Sequence, residues 1–174
     1  MSTSATGSPV RIIGIDPGSR VTGYGVIESS PGKQRIVAFG RICTESGELP
    51  QRLLQIQNEL AAILREHQPS EAAVEQVFVK RNATTAMVLG QARGVALCTA
   101  AAAGLAVTEY AATQIKLAVT GSGRAEKPQV AHMVKILLKL IEAPPSDAAD
   151  ALAVALCHAQ VRSTRSMISR ALAG

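Results

Sequence analysis

Two periodicities divide the hydrophobic and polar positions of this chain. Near its start, three apolar runs follow one another closely: RIIGID (residues 11–16), VTGYGVI (21–27) and RIVAFGRI (35–42). Turn residues separate them, Pro17 and Gly18 first and then a Ser-Pro-Gly-Lys stretch at 30–33. Links this short cannot carry a crossover, so the runs predict three strands in an antiparallel meander. Gly23 and Gly25 leave part of one face of the second strand bare, open to another backbone or a ligand. The period then changes. Leu49, Leu53, Ile56, Leu60, Ile63 and Leu64 step by threes and fours, which predicts an amphipathic helix over residues 49–67. Residues 71–79 read as a fourth strand, parallel to the first because a helix intervenes. A long alanine-rich helix (84–103), a fifth strand (104–110) and a short helix (113–119) follow. A glycine-rich loop (120–126) then leads to helices over 128–141 and 147–161.

This order predicts one α/β domain over residues 10–162. Its five-stranded mixed sheet has three antiparallel strands, then two parallel ones, with helices packed on both faces. Residues 1–9 read as a disordered tail, and residues 163–174 as a C-terminal tail without pattern.

Composition narrows the function classes. Apolar residues make up 47% of the 174, enough for a real core, and no apolar run reaches membrane-spanning length. The start carries no basic flank or apolar segment of a secretion signal. Cys43, Cys98 and Cys157 are odd in number, far apart and set among apolar neighbours. They read as buried free thiols of a reducing compartment, which predicts a cytoplasmic protein. His67, His132 and His158 show no metal-ligand spacing and read as surface or interface residues. Net charge is +5, but its distribution says more. From 80 to 139 there are eight basic residues (Lys80, Arg81, Arg93, Lys116, Arg124, Lys127, Lys135, Lys139) against two acids, Glu109 and Glu126. That local surplus exceeds the net charge of the whole chain and points to an anionic partner, nucleic acid first.

Four acids stand in apolar settings. Asp16 ends the first strand after three isoleucines, where it either opens the turn by bonding to its own backbone or faces a positive partner. Glu75 lies within the fourth strand, sharing a face with Ala73 and Val77, where an ion pair with an arginine is the alternative to a functional role. Asp147 and Asp150 open the last helix behind Ser146, a candidate N-cap. The helix dipole alone accounts for Asp147. Asp150 begins a helix that is apolar nearly all round, and a spacing of three puts both carboxylates on one face. Four such carboxylates suggest a hard divalent cation, Mg²⁺ or Mn²⁺.

Together, GIDPGSRVTGYG (14–25), EQVF (75–78), LGQARG (89–94), AEK (125–127) and DAADAL (147–152) resemble the RuvC family of bacterial Holliday-junction resolvases, in the right order over roughly residues 10–160. The resemblance implies a ribonuclease-H-like fold and a crossover junction endodeoxyribonuclease acting in recombination and DNA repair. It implies that Asp16, Glu75, Asp147 and Asp150 are the catalytic, metal-binding acids, and that Lys116 and Lys127 assist the reaction. Phe78 falls on the family's aromatic near the junction centre, with core packing as its alternative. The basic residues Lys80, Arg81, Arg93 and Arg124 are candidate DNA contacts. Two Mg²⁺ ions per site, with Mn²⁺ as a substitute, can clamp a phosphodiester, one preparing a water and one the leaving 3′ oxygen. Hydrolysis then leaves 5′-phosphate and 3′-hydroxyl ends. Symmetric nicking of a four-way junction calls for a homodimer. The alanines of residues 92–103 either serve such an interface or pack on the chain's own sheet. RuvA and RuvB are the implied partner proteins. Two competing readings are an ATP-binding turn of the actin and sugar-kinase class, for which the chain lacks a second domain, and a junction-binding protein with a dead site.

Overall fold

The computed structural model describes residues 8–76 and 82–173. Phe78, Lys80 and Arg81 lie outside the described residues. Five strands, β1 (Val10–Asp16), β2 (Val21–Ser30), β3 (Lys33–Cys43), β4 (Glu71–Glu75) and β5 (Ala106–Tyr110), form one sheet in the order β3-β2-β1-β4-β5. The first three are antiparallel, and β4 and β5 run parallel to β1, as the link lengths require. Among the described residues, five helices accompany the sheet: α1 (Leu49–His67), α2 (Ala83–Ala102), α3 (Ala112–Thr120), α4 (Lys127–Leu137) and α5 (Ser146–Ala173). This is the expected ribonuclease-H-like arrangement. Among the described residues, no helix is long and apolar enough to cross a membrane.

The central strand β1 is buried on both faces, and its alternation divides the core. Ile13 and Ile15 point into a cluster with Ile56, Leu60 and Leu64 of α1 and with Ala92, Ala96 and Ala100 of α2. Ile12 points the other way, into a cluster with Ile115 and Val119 of α3, Val130 and Val134 of α4, and Leu152, Val154 and Leu156 of α5. The small residues Ala92, Ala96 and Ala100 are therefore used inside the chain's own core.

Gly14 shares the α5 face of β1 with Ile12, and here the bare stretch of β2 finds its use. A Cβ on Gly14 would lie 2.0 Å from the Ala151 carbonyl oxygen, and one on Gly23 would lie 2.0 Å from that of Asp147. A Cβ on Gly25 would meet the Leu152 side chain at 2.5 Å. What approaches the glycines is thus the backbone of α5, lying directly on β1 and β2.

Several boundaries differ from the sequence pattern. Helix α4 stops at Leu137, although apolar residues continue to Ile141. Lys139 adopts a left-handed conformation (φ 53°), and the Leu140 N–H donates to the Lys135 carbonyl, folding Leu140 back onto the core. The first bond of α5 runs from the Ala149 N–H to the Pro145 carbonyl, so Ser146 lies inside the helix and does not cap it. Helix α5 also continues through Ala173, beyond the expected end at residue 161.

All three cysteines are free as expected, but Cys43 and Cys98 are exposed and only Cys157 is buried. Apolar sequence neighbours do not fix a residue's face: Cys43 ends β3 and Cys98 points outward from α2. His158, read as a surface or interface residue, is buried within the chain at 7% exposure.

Candidate active site

Where β1 and β4 run out at their C-terminal ends, the start of α5 crosses them. Asp16 is the last residue of β1 and shares the α5 face with Ile12 and Gly14, four and two positions earlier. The turn after it is tied by other residues. Thr22 Oγ1 donates to the Gly18 carbonyl at 2.8 Å, and the Arg52 guanidinium donates to the Ser19 carbonyl at 2.6 Å. The carboxylate of Asp16 is thus not what closes the turn. Glu75 ends β4 on the matching face, in register with Tyr110 of β5.

A cleft of about 530 Å³ opens at this point, lined by Asp16, Glu75, Lys116, Lys127 and Asp150 with Gln76, Thr113 and several apolar residues. Its acids come from β1, β4 and α5, which are far apart in sequence. Lys116 comes from α3, and Lys127 is the first residue of α4, brought back by the glycine-rich loop. Lys127 Nζ donates to Asp150 Oδ2 at 2.7 Å. Its side chain is 74% exposed against 20% for Asp150, so this pair is wet on one side and easily exchanged for another cation or a phosphate. Among the described residues, neither Asp16 nor Glu75 has an ion-pair partner.

The electrostatics record the convergence. Asp16 is pushed up to about 7, first by burial, then by the charges of Asp150 and Glu75, with Lys127 opposing and Asp147 adding a smaller push. Glu75 is raised by burial and by Asp150, and Lys127 and Lys116 pull it back. Lys127 is raised in turn, chiefly by its bond to Asp150. Carboxylates held this way disfavour their own ionisation and need a cation. The donor set is oxygen only, which fits a hard divalent ion. Among the described residues, no three His, Cys, Asp or Glu side chains already stand at the closeness of a formed metal shell.

The remaining candidates are more spread out. Asp147 lies one turn before Asp150, half-buried, outside the lining of the cleft. Arg93 of α2 is paired with Glu109 of β5. Arg124 is exposed in the loop before Lys127. Sequence reasoning missed a polar cluster farther along α5, where His158 meets Tyr110 and Glu71. The alternation Glu71-Ala73-Glu75 and the helical spacing from Asp150 to His158 were its only signals.

Comparison with known proteins points to one family. The profile of one family, crossover junction endodeoxyribonuclease RuvC, matches residues 12–158. The chain is 59% identical over 148 residues to a crossover junction endodeoxyribonuclease RuvC of Coxiella burnetii, covering 85% of this chain and 86% of that one. It is 58% identical over 147 residues to that of Shewanella amazonensis, covering 84% and 85%. Among solved structures, Thermus thermophilus RuvC in complex with Holliday junction substrate superposes with a TM-score of 0.83 at 36% identity, covering 89% of this chain and 96% of that one. The yeast mitochondrial Holliday junction resolvase Ydc2, at 11% identity and a TM-score of 0.64, shares the fold.

Proposed function

This chain belongs to the RuvC family, and from that membership we propose that it is a crossover junction endodeoxyribonuclease that cuts four-way junction DNA. The observation that carries the proposal is the meeting of Asp16, Glu75 and Asp150 with Lys116 and Lys127 in one cleft. Asp16, Glu75 and Asp150 hold Mg²⁺, two ions per site with Mn²⁺ as a substitute, and Asp147 adds charge from the same helical face. Bound there, the ions supply Lewis-acid polarisation of the phosphodiester and a water of lowered pKa.

The chain's own residues do the rest. Asp16 must lose its proton to bind a cation, so metal uptake near neutral pH releases protons. Lys127, once freed from Asp150, and Lys116 neutralise the scissile phosphate or its neighbours. Arg124 extends the positive rim toward the backbone of the DNA. The products carry 5′-phosphate and 3′-hydroxyl ends. Paired symmetric nicks come from a homodimer, acting in recombination and repair in the cytoplasm with RuvA and RuvB.

Synthetic four-way and linear duplex DNA, incubated with and without Mg²⁺, test this reading. Symmetric nicks confined to the junction and dependent on the metal are expected, and Asp16→Asn should bind the junction without cutting it. Metal-independent cutting, or cutting by that variant, overturns the assignment.

A further inference from the structure

A second polar cluster lies on the same faces of α5 and β4 as the cleft, toward the other end of β4. The Nδ1 atom of buried His158 is 2.8 Å from the Tyr110 hydroxyl, and its Nε2 is 2.7 Å from Glu71 Oε2. Arg162 Nε donates to the other Glu71 oxygen at 2.9 Å. An ionised Glu71 only accepts, so Nε2 carries a proton and donates to it. The rest of the cluster agrees with this order. Burial holds the Tyr110 phenol up at about 12, so it remains a donor. Burial also pushes Glu71 up, but the bonds from His158 and Arg162 outweigh it and hold the carboxyl below its usual range.

The spacing links this cluster to the cleft. Glu71 and Glu75 are four residues apart on a strand, about 13 Å. Asp150 and His158 are eight residues apart on a helix, about 12 Å. Helix α5 runs antiparallel to β4, with its start at the C-terminal end of the strand and His158 at the strand's first residue. The two elements are thus ruled to nearly the same length. Seating His158 on Glu71 seats Asp150 beside Glu75.

Large apolar side chains such as Leu152, seated over Gly25, share in setting this register, but the closest part of the contact between α5 and the sheet is smooth. It presents Ala148, Ala151 and Ala155 to Gly14 and Gly23, a smooth helix face on a bare strand face. Such a surface permits close approach but offers few knobs to resist sliding. A slip of one residue would carry Asp150 about 1.5 Å along the axis and about 100° around it.

We propose that His158 is a positioning residue: clamped between Tyr110 and Glu71, it fixes the axial register of α5 on the sheet and so the place of Asp150 relative to Asp16 and Glu75. The inference rests on the metal-dependent nuclease reading of the cleft.

The test uses the full chain as wild type, His158→Phe, His158→Gln and Glu71→Gln. It measures Mn²⁺ affinity by calorimetry without DNA, single-turnover cleavage of a synthetic four-way junction, and junction affinity without metal. Expected for His158→Phe and Glu71→Gln is a loss of about 10- to 100-fold in Mn²⁺ affinity and cleavage rate, with junction affinity unchanged. His158→Gln, whose amide still donates to Glu71, should recover most of both. A residue that merely fills space would change the melting temperature and leave the metal affinity of folded protein alone. Folded His158→Phe and Glu71→Gln that bind Mn²⁺ and cut within about twofold of wild type overturn the clamp. Should His158→Phe fail to fold, Glu71→Gln decides, because that side chain is a quarter exposed (25%) and its amide is isosteric. A wild-type protein that binds no Mn²⁺ and leaves the junction intact overturns the reading of the cleft, and the proposal with it.

Discussion

Asp16→Asn should make the metal-free protein more stable at neutral pH while abolishing cleavage. Burial and the charges of Asp150 and Glu75 raise this carboxyl from 3.8 to about 7. Between those values the folded chain keeps a proton that the unfolded chain has released. Stability therefore falls as pH rises through that window and levels off above it. A gap of about three pK units, at about 1.4 kcal/mol each, amounts to about 4 kcal/mol lost between about pH 4 and pH 7. The amide carries no charge but remains polar and largely buried, so roughly half of this, about 2 kcal/mol, should return as net stability. In a chain of this size 1 kcal/mol moves the melting temperature by about 2–4 °C, which gives a rise of about 4–8 °C. Thermal melts by circular dichroism from about pH 4 to pH 8, in a chelator and in excess Mg²⁺, measure it. Glu28 and Glu71, both held low, titrate in the opposite sense, so the difference between variant and wild type is the informative quantity. That difference should vanish toward pH 4. It should reverse in saturating Mg²⁺, where at 100 times its dissociation constant the metal adds about 2.7 kcal/mol to the wild type alone. A variant that melts below wild type at neutral pH in chelator refutes the account of a frustrated carboxylate cluster.

Two further substitutions probe the frame and the cations. Gly14→Ala places a methyl 2.0 Å from the Ala151 carbonyl oxygen. It should cost about 3 kcal/mol in denaturant unfolding and lower cleavage by the protein that remains folded, because α5 carries Asp150 away with it; wild-type stability would mean that the helix does not lie where described. Lys127→Ala removes a largely exposed ion pair and should cost less than about 1 kcal/mol of stability. Its single-turnover cleavage at saturating DNA should fall about 100-fold, whereas a changed salt dependence of binding with an unchanged rate would reduce Lys127 to a simple phosphate contact.

The sheet was legible because turn residues bound its short apolar runs, because the period changes to threes and fours at α1, and because the lengths of the links dictate which strands run parallel. The acids were legible for a related reason. A carboxylate after three isoleucines, or at the head of an apolar helix, has no local compensation, so its compensation must be tertiary. What stayed hidden depends on pairings that no window of sequence contains. Nothing near Lys127 names Asp150 as its partner, and nothing near His158 names Glu71, 87 positions away. The left-handed Lys139 ended α4 although the apolar pattern continued, since a lysine gives no hint of that conformation. Residues 162–173 carry too little apolar period to read as helix, yet they extend one already nucleated by the buried half of α5, where propagation is cheap.

That buried half explains how the site can hold its charges apart from any partner. Burial and mutual repulsion, together of the order of 4 kcal/mol at Asp16, would push mobile side chains into solvent, and Asp16, Glu75 and Asp150 would relax to ordinary carboxylates. They are kept from doing so by what lies behind them. Ile12, Ile13 and Ile15 are fully buried before Asp16, Ala73 and Val74 before Glu75, and Ala151, Leu152 and Val154 after Asp150. Each acid sits at the end of a rod whose other residues cannot move without opening a cavity, at about 2–5 kcal/mol per large side chain displaced. The α5 rod touches β1 and its neighbour β2 backbone to backbone only because Gly14 and Gly23 lack a Cβ. Replacing a glycine should therefore lower the pKa of Asp16 toward 3.8 as well as destabilise the fold, since the acids would be freed to part. The titration of Asp16 in Gly23→Ala, followed by NMR of the carboxyl carbon, separates this from simple unfolding: a folded variant in which Asp16 still titrates at about 7 would show that the repulsion is held by something other than the seat of α5.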